Sequence, residues 1–253
     1  MLVFAMVEKF RPCIIVPCFN HSLLFADVAK LLGEMKYPGI VVDDGSNFVE
    51  ANRLCGICSR YNFVLVRSFP NRGKGYAMQS GFFEAIKRGY THALQIDADG
   101  QHCVADIEKF FDMVRKNPNC IINGVPVYDE TVPLPRLYGR KITNFWVWVE
   151  TFGAKIGDAM CGFRVYPLNK VNCVIKKLCF YRMGFDIEIL VKSIIDGIKS
   201  IDVFTKVIYP RNGISHFKMV RDNVKISLLH CYLCGYAVLK FICKIWRCYD
   251  KRN

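Results

Sequence analysis

The chain has 253 residues, 52% of them hydrophobic, and a formal net charge of +13. The length suits one large α/β domain or two small ones with a real core, and the charge points to a polyanionic partner: nucleic acid, anionic lipid or a phosphorylated substrate. Thirteen cysteines are odd in number and scattered, several in apolar runs (Cys13, Cys120, Cys179, Cys243), which excludes a disulfide framework and reads as small core residues in a reducing compartment.

The N-terminal stretch Met1 to Val7 is apolar but too short for a signal-peptide core. Cys13 to Pro17 reads as a buried strand and Ser22 to Gly33 as a helix. Gly39 to Asp43 is a strand, Phe48 to Tyr61 a helix, Phe63 to Arg67 a strand and Lys74 to Arg88 a helix. Thr91 to Ile96 is a strand, Val104 to Arg115 a helix and Cys120 to Gly124 a strand. Short apolar strands alternating with helices predict βαβ units in a mostly parallel sheet. The pairs Cys55/Cys58 and Cys231/Cys234 fall in helix-like stretches at a separation unlike a compact zinc module.

From Val125 the pattern changes. Pro126 to Pro135 reads as a loop, Leu137 to Ile156 as a helix, Gly162 to Tyr166 as a strand and Asp186 to Asp196 as a helix. Ile201 to Tyr209 is a strand, Pro210 to Phe217 a loop, and Val220 onward a long apolar-to-basic helix. The longest uncharged run, Ile226 to Leu239, has 14 residues, short of the roughly 20 that span a bilayer. Lys240, Lys244, Arg247 and Lys251 follow at helical spacing. That combination predicts a peripheral helix on an anionic leaflet; the alternative is a helix packed on the domain with a solvated basic face. Tryptophans in Asn144-Phe-Trp-Val-Trp148, downstream of Arg136, Arg140 and Lys141, suit a lipid–water interface or a buried helix. The expected division is a domain over 11–217 and a membrane-associating extension over 218–253.

Polar residues gather where strands should end. The strands end in Pro17-Cys-Phe19-Asn20-His21, in Asp43-Asp44-Gly45-Ser46 and in Asp97-Ala-Asp99-Gly-Gln101-His102, while Asn71-Arg72-Gly73-Lys74-Gly75 opens a helix. In a parallel sheet the ligand crevice lies beyond the carboxyl ends of the strands. Glycines with a lysine at a helix N-terminus can cradle phosphate through backbone N–H groups and the helix dipole. Asp97 and Asp99, close together, suit a hard divalent cation such as Mg²⁺ or Mn²⁺ held against a diphosphate. Each motif alone also reads as turn chemistry; jointly on one edge they imply handling of a nucleotide diphosphate.

These motifs resemble the family 2 glycosyltransferases of GT-A fold, especially the branch with dolichol-phosphate mannose synthases. The resemblance covers residues 11–217 and rests on Val-Pro-Cys-Phe-Asn-His (16–21), Val-Asp-Asp-Gly-Ser (42–46), Asn-Arg-Gly-Lys-Gly (71–75), Asp-Ala-Asp-Gly-Gln-His (97–102) and Cys-Gly-Phe-Arg (161–164). Phe19 stands where the family has tyrosine and His21 where it has glutamate, and the multi-span membrane domain of some relatives is not seen. The resemblance implies inverting transfer of a sugar from a nucleotide-diphosphate donor to a lipid or polyprenyl-phosphate acceptor, at the cytoplasmic face of a membrane. By position it places Pro17, Phe19, Asp43 and Asp44 around the nucleoside, Lys74 near the diphosphate and Asp97 on the donor ribose or sugar. Asp99 becomes the principal metal ligand, helped by Gln101. His216, in Tyr209-Pro-Arg211-Asn-Gly213-Ile-Ser215-His216, would complete the metal shell or touch the leaving group.

On the acceptor side, Asp186 and Glu188 are expected either as a general base for a hydroxyl acceptor or as acids favoured at a helix start. A phosphate acceptor needs no base and would pair with Arg164, Arg136 or Arg140. Two other readings are a nucleotidyltransferase, which would carry a basic glycine-rich loop where Pro17-Cys-Phe-Asn stands, and a haloacid-dehalogenase-type phosphotransferase, which would carry its Asp-x-Asp after the first strand. A third is a non-enzymatic basic nucleic-acid-binding or membrane-binding protein; nucleic-acid binding would want cations clustered with exposed aromatics on a sheet face.

Overall fold

The computed structural model describes residues 10–128, 132, 134–182, 184–207 and 219–250. The first half follows the expected alternation: β1 (Pro12–Cys18), α1 (Ser22–Glu34), β2 (Gly39–Asp44), α2 (Phe48–Tyr61), β3 (Val64–Ser68), α3 (Lys74–Lys87), β4 (His92–Gln95) and α4 (Ile107–Lys116). Then come β5 (Ile121–Val127), α5 (Leu134–Glu150), β6 (Arg164–Pro167), α6 (Leu168–Ile175), α7 (Phe185–Ile195), β7 (Ser200–Lys206) and α8 (Met219–Asp250). The sheet order is β3-β2-β1-β4-β6-β5-β7. Only β6 runs antiparallel to its neighbours.

Alternate strand residues feed two cores, as a period of two requires. Ile14, Val16, Val41, Leu94 and Ile122 pack under α1, α2 and α4, while Cys13, Ile15, Ile40, Val42 and Ala93 pack under α3, α6 and α7. Local chemistry sets the ends: the Asn47 side chain caps α2 by accepting from Glu50 N, and Asn62 closes it in the left-handed region.

Four boundaries differ from expectation. β5 runs on through Pro126 to Val127, paired with β7 along its whole length, while its last bond on the β6 side is Gly124 N to the Phe163 carbonyl, so Pro126 breaks no ladder bond there. α5 starts earlier and ends at Glu150, where Phe152 and Gly153 take positive φ. α6 follows β6 directly and was not expected; Leu168, Val171, Val174 and Ile175 bury one face of it. β7 ends at Lys206, and the expected loop 210–217 lies outside the described residues.

α8 also departs from the sequence reading. Ile226, Leu229 and Leu233, at helical spacing, join the core under α5 and α7, and Ala237 one turn on is buried as well. The remaining face exposes Leu228, Val238, Leu239, Phe241, Ile242, Ile245 and Trp246. Val224–Trp246 is long and apolar enough to cross a membrane by length and composition. The count of uncharged residues missed this because Lys225, Lys240 and Lys244 interrupt the stretch.

Candidate active site

Three strand ends and the starts of two helices converge on one edge of the sheet. β1 and β2 are in parallel register with Pro17 opposite Val42 and Cys18 opposite Asp43, so the first two motifs meet. Asn20 N donates to Ser46 Oγ at 2.9 Å and Asn47 N to Asn20 Oδ1 at 3.0 Å, tying the two turns together. Phe19 is left exposed at this mouth. Asp43 is fully buried; its Oδ1 accepts from Ser46 N at 2.8 Å. Arg67 Nε stands 3.1 Å from Asp43 Oδ2, yet that buried oxygen has no aligned donor and keeps a lone pair for one.

Asp44 is placed differently from the expectation that it faces the nucleoside. Its Oδ1 accepts from Arg72 N at 3.0 Å, and its Oδ2 from Gly73 N at 2.7 Å and Asn71 Nδ2 at 2.9 Å. Its carboxylate shapes the 71–73 turn. Burial raises its pKa, against the lowering effect of those backbone N–H groups. Gly45, at φ +81°, lets the turn approach; a Cβ there would sit 2.6 Å from Asn71 N.

Lys74, the first residue of α3, is the centre of the charge network. Its Nζ lies 2.8 Å from Asp97 Oδ1 and 3.0 Å from Asp186 Oδ2. Burial alone would lower this ammonium, but Asp186 and Asp97 outweigh it and hold it well above the usual lysine range. Gly162 covers the pair closely: a Cβ would stand 2.6 Å from Asp97 Oδ2 and 2.7 Å from Lys74 Nζ. That contact accounts for the glycine of Cys161-Gly-Phe-Arg164.

Asp99 has a different environment. Its Oδ1 accepts from Gln101 N at 3.0 Å, and no cationic side chain pairs with it among the described residues. Burial and the neighbouring Asp97 charge push it up to about 6. Among the described residues no three His, Cys, Asp or Glu side chains are grouped to hold a metal. His216 lies outside the described residues.

The three residues expected on the acceptor side are all buried. Asp186 Oδ1 accepts from Gln95 Nε2 at 2.7 Å, and its Oδ2 faces Lys74. Glu188 is 0% exposed; it pairs with Lys192 Nζ at 2.6 Å and accepts from Cys179 N and Phe180 N. Arg164 is also 0% exposed and donates to Asn123 Oδ1, to the Asp186 carbonyl and to Tyr166 Oη at 2.8, 2.8 and 3.3 Å. Each of these oxygens and the guanidinium is engaged by partners within the protein. Arg140 is ion-paired with Asp158, and the Arg136 side chain lies outside the described residues.

Sequence reasoning passed over Gln95 and His102 as site residues. Gln95 is a fully buried polar residue at the end of β4, and Tyr166 Oη donates to its Oε1 at 3.2 Å. His102 stacks on Phe163 at 5.3 Å between centroids, with Nε2 4.0 Å from Asp97 Oδ2. Burial holds its pKa down to about 4, with Asp97 partly opposing. The unfolded chain takes up this proton near pH 6.5 and the folded one does not. The His102 contribution to stability is therefore fully present above pH 6.5 and is lost as pH falls toward 4, by about 3 kcal/mol. His102→Phe keeps the stacked ring and is expected to flatten that slope in urea unfolding between pH 6.5 and 4; an unchanged slope overturns the assignment.

An open, mostly parallel α/β sheet with carboxylates, a glycine-rich turn and a lysine along one carboxyl edge defines a GT-A-like domain. The sequence model of "Glycosyl transferase family 2" matches residues 13–173, and the chain belongs to that family. It is 29% identical over 206 residues to a dolichyl-phosphate beta-glucosyltransferase of Dictyostelium discoideum, covering 73% of this chain and 62% of that protein. It is 25% identical to the polyprenol monophosphomannose synthase of Mycolicibacterium smegmatis, covering 86% and 84%. Among solved structures it resembles glucosyl-3-phosphoglycerate synthase from Mycobacterium tuberculosis in complex with Mn²⁺, uridine diphosphate and glucosyl-3-phosphoglycerate. That likeness has a TM-score of 0.60 at 14% identity and covers 90% of this chain and 81% of the other. The chain thus spans less than two thirds of the Dictyostelium relative.

Proposed function

We propose that this chain transfers a sugar, with inversion, from a nucleotide-diphosphate donor to a lipid-linked phosphate at the cytoplasmic face of a membrane. The observation that carries the acceptor half is the engagement of both acids at the start of α7. A general base must lie within reach of the proton it removes. Asp186 is bound to Gln95 and Lys74, and Glu188 to Lys192 and two backbone N–H groups. A phosphate oxygen arrives already ionised and needs neither. The relatives named for dolichyl phosphate and polyprenol monophosphate support the same acceptor class.

On the donor side, Pro17, Phe19 and Asp43 surround the nucleoside, with Asp43 Oδ2 accepting from it. The N-terminus of α3 receives the diphosphate, and the 71–75 turn sets its position, the N–H groups of Arg72, Gly73 and Gly75 being bonded to Asp44 and Tyr181. Lys74, ion-paired with Asp97 and Asp186, orients Asp97 toward the donor sugar. The donor set around Asp99 fits a divalent cation: one carboxylate without a counter-charge, and Gln101 beside it. Mg²⁺ or Mn²⁺ takes one or two protein carboxylates and completes its shell with substrate phosphate oxygens and water. Bound there, it would neutralise charge on the leaving diphosphate.

For the membrane, α5 exposes Tyr138, Ile142, Phe145, Trp146 and Trp148 beside the exposed apolar face of α8. Phe152, just after α5, meets Phe241 at 5.4 Å between ring centroids. With Lys225, Lys240 and Lys244 on α8, this surface suits the headgroup region of an anionic leaflet. Residues 218–253 serve as the membrane-associating extension in this reading.

The experiment is a thermal-shift screen of UDP-, GDP- and CDP-sugars with and without Mn²⁺, then transfer to dolichyl phosphate in anionic vesicles. One donor is expected to stabilise the protein, and a product of inverted anomeric configuration to form on the phosphate. The protein is expected to sediment with the vesicles, and less so as the Phe241→Ser/Trp246→Ser variant. No stabilisation by any nucleotide sinks the donor assignment. Glycosylation of a free hydroxyl in place of dolichyl phosphate sinks the acceptor class.

A further inference from the structure

The buried Glu188–Lys192 pair has a use besides the reaction. Between α6 and α7 the chain runs as a strap, residues 177–182, across the front of the Gly73–Gly75 turn. Gly75 N donates to the Tyr181 carbonyl at 2.7 Å, and Tyr181 meets Tyr76 ring to ring at 6.0 Å. The approach is close: a Cβ on Gly75 would sit 2.8 Å from Tyr181 Cα and 2.9 Å from the Phe180 carbonyl.

The strap is held from behind by α7. Glu188 accepts from Cys179 N at 3.0 Å and from Phe180 N at 2.8 Å, and Lys192 Nζ donates to the Lys177 carbonyl at 2.7 Å. These contacts satisfy backbone groups that the irregular strap cannot pair within itself. The pair is covered in turn by α8. Lys192 Nζ lies 5.0 Å from the Tyr232 ring centroid and 5.1 Å from that of Tyr236, and Tyr232 packs on Phe180 at 5.5 Å. An unbroken chain of packed groups therefore joins α8 to the turn that carries Lys74.

We propose that Glu188, Lys192 and Tyr232 are positioning residues that set the strap, and through it the Gly73–Gly75 turn, for the diphosphate. The inference rests on the reading of the α3 N-terminus, which that turn positions, as the diphosphate site. The strap packs on the turn through Tyr181 and Arg182, so its displacement is expected to weaken the hold on the diphosphate more than on the nucleoside.

The experiment measures dissociation constants of UDP and GDP, and of UMP and GMP, with Mg²⁺ present. It compares the wild type with Tyr232→Leu, Tyr232→Phe and the double variant Glu188→Gln/Lys192→Met, which avoids a lone buried charge. For Tyr232→Leu and the double variant, diphosphate affinity is expected to fall about tenfold and monophosphate affinity to fall less. Tyr232→Phe keeps the ring and loses the hydroxyl's contact with Cys179 Sγ, and is expected to lose less diphosphate affinity than Tyr232→Leu. Unchanged diphosphate affinity in Tyr232→Leu, or equal weakening of both nucleotide classes, overturns the proposal. If the double variant fails to fold, Tyr232→Leu decides alone. A wild type that binds none of the four nucleotides refutes the reading of the turn itself, and the positioning role with it.

Discussion

Asp99→Ala is expected to lower turnover by about a thousandfold or more while the protein stays folded. Asp97, two residues away, is ion-paired with Lys74, whereas Asp99 accepts from the Gln101 backbone N–H and has no ion pair among the described residues. Its buried charge is what a divalent cation would balance, and a cation on a leaving diphosphate stabilises the transition state by several kcal/mol. At about 1.4 kcal/mol per tenfold, that loss is three orders of magnitude. The sign of the stability change separates this from damage to the fold. Without divalent ions the Asp99 charge is disfavoured by burial and by Asp97, so its removal should leave the melting temperature unchanged or higher. Turnover near the wild-type rate at saturating donor and Mn²⁺ would remove Asp99 as the metal ligand.

Arg164→Met is expected to act on stability first, by about 3–5 kcal/mol, the range for stranding partners of a buried charge. The guanidinium is 0% exposed and serves Asn123, Tyr166 and the Asp186 carbonyl together. A methionine fills the space but leaves those acceptors unpaired. For a chain of this size the midpoint should drop by roughly 6–20 °C. If the variant melts with the wild type and only its acceptor KM rises, Arg164 is an acceptor contact after all.

The family 2 pattern was legible because its chemistry is local. Asp43-Asp44-Gly45-Ser46 and Gly73-Lys74-Gly75 are turns, and turn residues carry their geometry in their own types. The strands β1, β2 and β4 were legible because they are buried on both faces and read as short apolar runs. α6 was missed since eight residues with two asparagines make a weak helical signal and its tertiary contacts supply the rest. β5 was cut short at Pro126 since the sequence does not show that one side of the strand is unpaired there.

Side-chain commitment is where the sequence ran out. Asp44, Asp186, Glu188 and Arg164 look like available site groups in a one-dimensional reading, because carboxylates and guanidinium advertise charge and not partners. Their partners lie at distances in sequence from two residues (Arg164 to Tyr166) to 112 (Lys74 to Asp186). Likewise α8 read as either a membrane helix or a packed one; it packs with the Leu229–Leu233 face and leaves an apolar face uncovered. The sequence by itself determined the alternating sheet, the family and the edge on which Asp97 and Asp99 lie, since periodicity and turn chemistry are properties of neighbouring residues. Only the tertiary structure decided which charges stay available, since a buried charge is stable only with a partner and that partner is chosen by the packing of distant elements.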